Sequence, residues 1–394
     1  MSKKSPQLRF EGFTDDWEER KLSDIADRFD NLRVPITASD RKSGDTPYYG
    51  ANGIQDYVEG FTHDGEFILV AEDGANDLKN YPVQYVNGKV WVNNHAHVLQ
   101  GKNTITDNKF LMNSIKNFNI EPFLVGGGRA KLNADVMMKL NILLPTFDEQ
   151  EKIGSFFSLL DDTIALHQRK LDLLKEQKKG YLQKMFPKNG AKVPELRFAG
   201  FADDWEERKL KELFQPSKNK NNNGLYNQKD ILAASLGTEL IPKRTFFGLK
   251  STRESVKNYR IVKTGDLIYT KSPIKGFPNG IIRSNKGNVG IVPPLYCVYT
   301  LQKDINSSII QLYFEDKNRL DFYLFPLVNV GARNNVNITD LEFLEGKVTI
   351  PKSYEEQSKI VQFMEQLNTT IALHQRKLDL LKEQKKGFLQ KMFV

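Results

Sequence analysis

The chain contains the same sequence twice. Residues 163–186 read TIALHQRKLDLLKEQKKGYLQKMF, and residues 370–393 repeat this run with one change, Tyr181 against Phe388. A second matched pair opens each half: LRFEGFTDDWEERKL at 8–22 and LRFAGFADDWEERKL at 196–210. Between these borders the two halves show little resemblance. The repeat therefore predicts a molecule that performs one task identically at two places and two different tasks elsewhere.

The repeats divide the 394 residues into four parts, and the length itself favours several units. We expect a first globular region at 1–147, a long helix at 148–187, a second globular region at 188–353 and a second long helix at 354–394. The segment PKNGAKVPE is predicted to link the halves, because its Pro, Asn and Gly residues end helices.

Both predicted helices carry apolar residues at alternating spacings of four and three, which indicates a coiled-coil seam. The seam positions, in the same register in both helices, are Ile164, His167, Leu171, Leu174, Tyr181, Ile371, His374, Leu378, Leu381 and Phe388. Each helix would be roughly 50–60 Å long at about 1.5 Å per residue. Because one such stripe needs a partner, we expect the two helices to pair antiparallel about a pseudo-two-fold axis, with the two histidines as polar register markers.

The repeat extends beyond the seam to the outer faces of the helices. In the first helix six cations face two acids there, namely Arg169, Lys170, Lys175, Lys178, Lys179 and Lys184 against Asp172 and Glu176. A solvated face beside a seam, or a recent duplication, would also give this pattern. Identity at positions that pairing does not need favours two equal binding surfaces.

The globular regions show a mixture of strand and helix patterns. Runs such as GEFILVAED and GKVWVNNHAHVL in the first, and LYCVYTL in the second, are strand-like and are separated by Gly and Asn turns. Both regions close with a comparable phrase, NILLPTFDEQEKI and GKVTIPKSYEEQSKI, in which a strand ends at a proline and an acidic first helical turn follows. We predict an α+β protein with two mixed α/β domains and two long helices.

Composition excludes several classes of protein. No apolar run of 18 residues exists, so we expect no membrane span, and the N-terminus lacks the apolar segment of a secretory signal. Cys297 has no cysteine partner in the chain, which fits a reducing cytosol and predicts a cytoplasmic location. The net charge of +8 favours a polyanionic partner, double-stranded DNA first, although a merely basic protein would also show it.

The sequence offers no convincing catalytic or metal site. It has no glycine-rich phosphate loop with lysine and no adenine-methyltransferase motif. An ExK triplet at 176–178 recurs at 383–385 on the predicted coiled coil, which argues against a nuclease. His95 and His97 would share one face of a strand and could ligate a metal, but no partner stands at the usual spacing, so a structural role is expected. Cys297, in an apolar run, is expected to be buried and inert.

Cations for phosphates and planar polar side chains for base edges cluster in several loops of both globular regions. The first region contributes Arg33, Arg41, Lys42, Tyr49, Asn52, Arg129, Lys131 and Asn133. The second contributes Lys218, Lys220, Asn221, Lys243, Arg244, Lys271, Lys275, Arg333, Asn334 and Asn335. Two of these loops, GGGRAKLN and GARNNVN, precede the strand that leads into each helix and combine Gly, Arg and Asn at equivalent places. They are the strongest candidates, although any single loop could be plain surface.

In its layout the whole chain resembles the specificity subunit of type I restriction–modification systems. Two unlike globular regions are each followed by a near-identical long helix, entered through PTFDEQEKI and PKSYEEQSKI. The phrases PYYGANGIQDYV, ILVAEDGA and VNNHAHVL are similar to one kind of target recognition domain, and GDLIYTKSP and GIVPPLYCVY to another. Recognition loops vary widely in this family, so the resemblance assigns no base-reading residue.

The resemblance implies a non-catalytic subunit that reads a split, asymmetric DNA sequence with its two domains, while the helices fix the spacer between half-sites. Two methyltransferase subunits would dock on the repeated helices, and two restriction subunits would join through them. S-adenosylmethionine, ATP and Mg²⁺ would be used by those partners, and this chain would bind no cofactor. The alternatives are a coiled-coil scaffold without a role in DNA binding and, less favoured, an enzyme that uses His95 and His97.

Overall fold

The computed structural model describes residues 5–126, 130–188, 190–235, 240–242, 254–274, 276–327 and 338–393. The chain forms two compact units, Met1–Arg169 with Arg376–Val394, and Lys170–Gln375. Each unit contains one inserted domain and one half of each of two long helices. Among the described residues, no helix combines the length and apolar character that a membrane crossing requires.

The first inserted domain contains eight strands and three short helices among its described residues. The strands are β1 (Glu18–Lys21), β2 (Ala26–Arg28), β3 (Ser43–Gly50), β4 (Gly53–Val58), β5 (His63–Ala71), β6 (Val83–Val92), β7 (Ala96–Gly101) and β8 (Asn141–Leu144). The helices are α1 (Leu22–Ile25), α2 (Asn108–Asn117) and α3 (Ala134–Met137). The long helix α4 follows at Phe147–Lys184.

Six of these strands form one sheet, in the order β2-β7-β5-β6-β3-β4. Strand β5 lies inside it and reads FILVA at its buried end, a run of residues with high strand propensity. Alternate side chains of a strand point to opposite faces, and here each face has its own apolar cluster. Ile68 and Val70 lie in the cluster that also holds Leu111 of α2, whereas Phe67 and Leu69 lie in the other. The sheet is therefore covered on both sides at β5.

The second inserted domain has ten strands and three short helices among its described residues. The strands are β9 (Glu206–Lys209), β10 (Phe214–Pro216), β11 (Leu232–Ala233), β12 (Ile241–Pro242), β13 (Arg260–Val262), β14 (Leu267–Thr270), β15 (Ile281–Ser284), β16 (Gly290–Val292), β17 (Tyr296–Leu301) and β18 (Lys347–Ile350). The helices are α5 (Ser307–Phe314), α6 (Lys317–Leu324) and α7 (Asp340–Phe343). The second long helix, α8, spans Tyr354–Met392.

The main sheet of the second domain has the order β10-β17-β14-β15, and β13-β16 and β11-β12 form two further pairs. Strand β14 repeats the alternation of β5. Its Leu267 and Tyr269 lie in the large cluster that includes α5 and the helix ends, whereas Ile268 lies in a separate cluster with Val262 and Val298. The mixed α/β composition of both domains confirms the predicted fold class.

The long helices run within a few residues of the predicted bounds and pair antiparallel inside each unit. In the first unit the rings of Phe156 and Phe388 meet edge to face at 5.1 Å, and Asp161 forms an ion pair with Lys385. Contacts thus pair a later residue of α4 with an earlier one of α8. In the second unit Tyr181, near the end of α4, meets Phe363, near the start of α8, at 4.9 Å. All ten predicted seam residues are buried or half-buried.

The glutamines of the two EQ phrases fix where each long helix begins. Gln150 donates from Nε2 to the carbonyl of Pro145 at 2.9 Å and accepts the backbone N–H of Asp107 at 3.0 Å. Gln357 makes the same pair of bonds, to Pro351 at 2.8 Å and from Asn306 at 2.9 Å. Asp107 and Asn306 are the N-caps of α2 and α5. One buried amide therefore ties each inserted domain's helix to the start of the long helix beside it.

The glutamates of the same phrases form ion pairs with arginines of the border segments, residues 8–22 and 196–210. Glu149, fully buried, accepts two hydrogen bonds of 2.7 Å from Arg9, and Glu356 accepts bonds of 2.7 and 2.9 Å from Arg197. Bidentate pairing of this kind is the strong form of the arginine–carboxylate bond. The border repeats and the EQ phrases, together with the long helices that they contact, thus form one recurring structure, the frame.

The border segments also contact the ends of the long helices. The N–H of Leu8 donates to the carbonyl of Lys391 at 2.8 Å, and the N–H of Leu196 donates to Lys184, the equivalent residue of α4, at 2.9 Å. Beside these bonds, Phe393 meets Trp17 at 6.3 Å and Phe186 meets Trp205 at 5.7 Å, both edge to face. Each repeated border therefore covers the end of one repeated helix in the same way.

Candidate nucleic-acid interface

Arg33, a predicted phosphate contact, lies inside a network of charged groups. Its Nη1 donates to Glu72 at 2.7 Å and to the carbonyl of Ala96 at 2.9 Å, and its Nε donates to the carbonyl of Asp30 at 3.0 Å. The side chain is 15% exposed. These contacts give Arg33 a structural role, because three of its five N–H donors are bonded within the domain and its charge is paired with Glu72.

The β3–β4 hairpin carries four more of the predicted residues. The guanidinium of Arg41 stacks over Tyr48 at 4.3 Å and reaches Asp56 at 3.3 Å, so the group is partly neutralised where it lies. Tyr49 is half-buried beside the Phe67 cluster, and burial raises the pKa of its hydroxyl. Lys42, in contrast, is exposed.

Asn52 forms the turn of the same hairpin and joins it to the loop that follows β5. Its Nδ2 donates to the carbonyl of Gly74 at 2.9 Å, and its Oδ1 accepts the N–H of Asn76 at 2.9 Å. The side chain is exposed although both ends of the amide are bonded. The exposed surface of the hairpin includes Lys42, directly before β3, with Ile54 and Tyr57 and the acidic Asp45 and Asp56.

The segment before α3 brings two candidates to the surface. Lys131 pairs with Val125 through two backbone bonds of 2.9 Å, and its Nζ lies 2.9 Å from Glu72. Asn133 is exposed at the N-terminus of α3. Arg129 lies outside the described residues. Lys131 and Asn133 thus stand on a segment whose base is anchored to the sheet.

Next to this segment lies a cluster of titratable groups that are far apart in the sequence. His97 of β7 is 1% exposed and bonds Asp30 at 2.7 Å, while His95, directly before β7, bonds Asp73 at 2.7 Å. Burial acts to raise the pKa of Asp30. The hydrogen bonds from His97 and Val98, with the charges of His97 and Arg33, outweigh burial and leave that pKa below its usual value. The observed bonds give both histidines carboxylate partners within the fold.

In the second domain the loop at 218–226 has two exposed lysines and a buried asparagine that holds the loop in place. Lys218 and Lys220 are exposed. Asn221 is 1% exposed, donates from Nδ2 to the carbonyl of Tyr226 at 2.7 Å and accepts the N–H of Tyr226 at 3.0 Å. Asn221 therefore organises the loop, and the two lysines are its available charges.

Of the other predicted residues in this domain, Lys271 is half-buried and donates to the carbonyl of Ile338. Lys243, Arg244, Lys275, Arg333, Asn334 and Asn335 lie outside the described residues. The described candidates that present an open cation or amide are Lys42, Asn133, Lys218 and Lys220. The side chain of Lys131 is 45% exposed, but its Nζ pairs with Glu72.

The second domain is attached to α4 through a buried carboxylate. Glu315, at the end of α5, lies 2.8 Å from Lys178 of α4 and 3.9 Å from Arg283 of β15. Burial acts to raise the pKa of Glu315, but the two cations and the bonds from Lys178 and Gln311 prevail and hold the pKa below its usual value. Sequence reasoning placed Lys178 on the helix surface and found no signal for its distant partner.

The outer faces of the long helices expose apolar residues at equivalent positions. Leu166 and Leu173 of α4 are 60% and 52% exposed, and their equivalents Leu373 and Leu380 of α8 are 59% and 51% exposed. The surrounding basic residues are exposed in both helices: Arg169, Lys170, Lys175, Lys179 and Lys184, with Arg376, Lys377, Lys382, Lys386 and Lys391. Leucines seven residues apart form a stripe on one face of a helix, and here the same stripe occurs twice.

Comparison with known proteins shows two kinds of similarity. A protein of Haemophilus influenzae named as a type I restriction enzyme specificity subunit is 45% identical over 156 residues, 40% of this chain and 39% of that protein. The MjaVIII specificity subunit of Methanocaldococcus jannaschii is 24% identical over 217 residues, 50% of this chain and 49% of the relative. The chain thus matches less than half the length of these relatives.

The fold is also shared with a solved structure. The type I restriction–modification S subunit of M. genitalium superposes with a TM-score of 0.66 at 14% identity, covering 99% of both chains. The family model described as "Type I restriction modification DNA specificity domain" matches residues 14–176 and again residues 202–383. Because these two matches span most of the sequence, the chain belongs to the type I restriction–modification DNA specificity family.

Proposed function

We propose that this chain selects the DNA sequence on which a type I restriction–modification complex acts, by reading two unlike half-sites with its two inserted domains. The observation that carries the proposal is the frame described above. Each Arg–Glu pair, EQ glutamine and Trp–Phe contact occurs twice, whereas the domains inserted into the frame differ in their added strands and in their surface loops. Such a molecule carries two different domain surfaces on two copies of the same structural frame.

The proposed reading surfaces are basic loops that stand apart from the frame. Lys42 and Lys131 in the first domain, and Lys218 and Lys220 in the second, are the described cations suited to phosphate contacts. Lysine contacts of this kind release counterions, so DNA affinity should fall steeply with salt. Base-edge contacts then come from residues of the same loops, with Asn133 the described candidate in the first domain.

The long helices are proposed to fix the unread spacer between the half-sites. Inserting about four residues before Leu171 adds about one helical turn, or roughly 5–6 Å. The bases read should stay the same while the spacer lengthens. Methylome sequencing of a host that carries the altered chain tests this, and a change of base identity at unchanged spacing would contradict it.

The leucine stripes are the proposed docking surfaces for two adenine methyltransferase subunits, through which two restriction subunits join. A repeated stripe fits two copies of one partner, because equal surfaces bind equal ligands. In this proposal the chain performs no chemistry. The methyltransferase subunits bind S-adenosylmethionine, and the restriction subunits use ATP and Mg²⁺.

Docking is tested with Leu166→Glu and Leu373→Glu, singly and together, against the control Leu341→Glu on α7. Leu341 is 69% exposed, so the control places the same charge on an equally open leucine. Each single change should remove one methyltransferase subunit from the purified complex, and the double change should remove both, as measured by native mass spectrometry. Full occupancy in the double variant would refute the docking surface.

The proposal as a whole is tested by expressing the chain with its methyltransferase partner and sequencing the methylome. We expect one split, asymmetric motif that disappears when this chain is deleted. Exchange of the first domain, 1–147, for that of a relative should change one half of the motif only. A complex that forms but retains no DNA would instead favour the coiled-coil scaffold.

A further inference from the structure

The buried imidazole of His97 contacts a hydrogen-bond acceptor on each side. Its Nδ1 lies 2.7 Å from Oδ2 of Asp30, and its Nε2 lies 2.8 Å from the carbonyl oxygen of Leu132. A neutral imidazole has one N–H and one lone pair, so it can donate to only one of these oxygens. One proton more than the neutral ring carries is needed to satisfy both contacts.

That extra proton resides on His97 and not on Asp30. The carbonyl of Leu132 has no proton to give. Asp30 accepts on both oxygens: Oδ1 takes the backbone N–H of Val98 at 2.7 Å, and Oδ2 also lies 3.6 Å from Arg33 and 3.8 Å from Arg28. A carboxyl surrounded by donors and cations is an anion. His97 is therefore left as a doubly protonated imidazolium.

The surroundings balance this buried charge. The charged groups that face His97 or its carboxylate partners are Asp30, Arg28, Arg33, Glu72 and Lys131. Glu72 lies 3.7 Å from Nδ1 of His97, with Arg33 at 2.7 Å and Lys131 at 2.9 Å from its own oxygens. The carboxylates of Asp30 and Glu72 therefore lie among the cations and offset their charge, because a buried charge needs a partner of opposite sign.

A metal ion is a poorer occupant of this cluster. Ligand atoms of Asp30, Glu72 and His97 lie within 4.8 Å of one another. However, the 2.7 Å separation of Nδ1 and Oδ2 is a hydrogen-bond distance, and Arg33 and Lys131 already occupy the oxygens of Glu72. An ion would have to displace two cations and a proton.

The hydrogen bond from Nε2 of His97 to the carbonyl of Leu132 holds residues 131–133, the segment proposed to face DNA. Leu132, whose carbonyl accepts from His97, lies between Lys131 and Asn133, and its N–H donates to the carbonyl of Glu72 at 2.7 Å. We infer that His97 is a positioning residue of the first recognition surface, and that its proton fixes Lys131 and Asn133 against the sheet. The DNA consequence rests on the proposed function, whereas the protonation does not.

The effect of the His97–Leu132 bond should be confined to the first inserted domain. The sequence contains five histidines, at 63, 95, 97, 167 and 374, and residues 188–353 contain none. Loss of the His97 bond to Leu132 would affect the first recognition surface and leave the second unchanged. The chain therefore carries its own internal control.

The protonation is tested on the full chain with ¹⁵N-labelled histidine. A long-range ¹H–¹⁵N spectrum distinguishes a ring nitrogen that carries a proton from one with a lone pair. We expect both His97 nitrogens to carry a proton in the folded chain. His63, which bonds the Thr62 hydroxyl and the carbonyl of Phe29, can satisfy both contacts as a neutral ring and serves as the reference. A lone pair on either His97 nitrogen would overturn the inference, as would Zn²⁺ binding that is lost in His97→Gln.

The positioning role is tested by amide hydrogen exchange without DNA. The protection factor of the Leu132 amide should fall about tenfold in His97→Gln, while His63→Gln leaves it unchanged. Unchanged protection in His97→Gln would refute the positioning role. In the assembled methyltransferase, His97→Gln should relax sequence selectivity at one half-site only. An equal response at both half-sites would also refute it, and absence of any sequence-specific methylation would count against the proposed function alone.

Discussion

The two inserted domains share a core plan and differ in what is added to it. The order β2-β7-β5-β6 in the first corresponds to β10-β17-β14-β15 in the second, and all of these neighbours are antiparallel. In both, a helix capped beside an EQ glutamine follows the sheet. The first domain adds β3 and β4, and the second adds the pairs β11-β12 and β13-β16. The shared part contacts the repeated frame, and the added parts carry Lys42 and stand beside Lys220.

The repeated helices show the converse, because identical residues acquire different partners. Lys178 and Lys385 occupy the same position in the repeat. Lys178 pairs with the buried Glu315 of the second domain, whereas Lys385 pairs with Asp161, a half-exposed residue of the other long helix. The same lysine of the repeat therefore contacts an inserted domain in one unit and the other long helix in the other unit.

The largest effect is expected from breaking the Arg–Glu pairs of the frame. Arg9→Met leaves the fully buried Glu149 without its cation, which should cost about 3–5 kcal/mol. Arg197→Met should cost less, because the indole N–H of Trp205 also donates to Glu356 at 3.2 Å. In the described part of the chain the N–H of Trp17, the equivalent residue, has no partner. Urea unfolding followed by hydrogen exchange in each unit measures both costs.

Equal costs in the two variants would show that the tryptophan bond contributes nothing, and a larger cost for Arg197→Met would contradict the comparison. Trp205→Phe in the Arg197→Met background is the control. The same substitution in the wild-type background measures the packing cost of the smaller ring in this buried site, so the double-mutant cycle isolates the indole donor. Loss of the donor should bring the cost of Arg197→Met up towards that of Arg9→Met.

The two lysines of the repeat provide the second test. Lys178→Met should destabilise the second unit by about 2–3 kcal/mol, because Glu315, 9% exposed, loses its nearest cation. Lys385→Met should cost less than about 1 kcal/mol, because Asp161 is 42% exposed and can be solvated. The two changes are chemically identical, so each is the control for the other in thermal and urea unfolding. Equal costs would mean that the repeat, and not the inserted domain, sets the role of this lysine.

The pH dependence of the free energy of unfolding should also distinguish the Lys178–Glu315 pair from the Lys385–Asp161 pair. The pKa of Glu315 in the folded chain lies below its usual value, so the ionised form stabilises the fold above the unfolded pKa of about 4.3. That contribution is lost as the pH falls from there through the folded pKa, with a slope of at most about 1.4 kcal/mol per pH unit. Glu315→Gln should flatten the acid dependence of the second unit's stability. The same slope in wild type and variant, measured by urea unfolding at each pH, would contradict this.

The smallest effects on stability are expected on the loop at 218–226. Lys218→Ala and Lys220→Ala should change the free energy of unfolding by less than about 0.5 kcal/mol, because both side chains are exposed. Each should reduce the salt dependence of DNA binding by about one unit of slope. Asn221→Ala is the contrasting variant. It should destabilise the loop by about 1–3 kcal/mol, because it leaves the backbone groups of Tyr226 and the buried carbonyl of Val256 unpaired. A salt slope unchanged by both lysine variants would remove this loop from the interface.

Much of the frame could be predicted from the sequence, because its signals are local. Alternation of four and three gives the helix and its buried stripe, and proline followed by acidic residues gives its start. The predicted first helix, 148–187, therefore lies close to the observed Phe147–Lys184. The common sheet order was not predicted, because strands of different sequence satisfy the same alternation of buried faces.

The candidate interface was predicted less well, because the availability of a charge depends on distant residues. Arg33 finds Glu72 and Asn221 finds Val256, 39 and 35 positions away, and nothing in the sequence around either residue indicates these partners. Exposed and buried members of one polar loop look alike in sequence. Residue type indicates which side chains can contact DNA, and burial decides which are free to do so.

The sequence by itself determined that one helical frame occurs twice around two different domains, since periodicity and repetition depend only on the order of residues. Only the tertiary structure decided which charges remain open, which neutralise one another and which acceptors His97 contacts. Hydrogen bonds and ion pairs join residues that are remote along the chain, and a buried polar group must find its partner wherever the fold brings one.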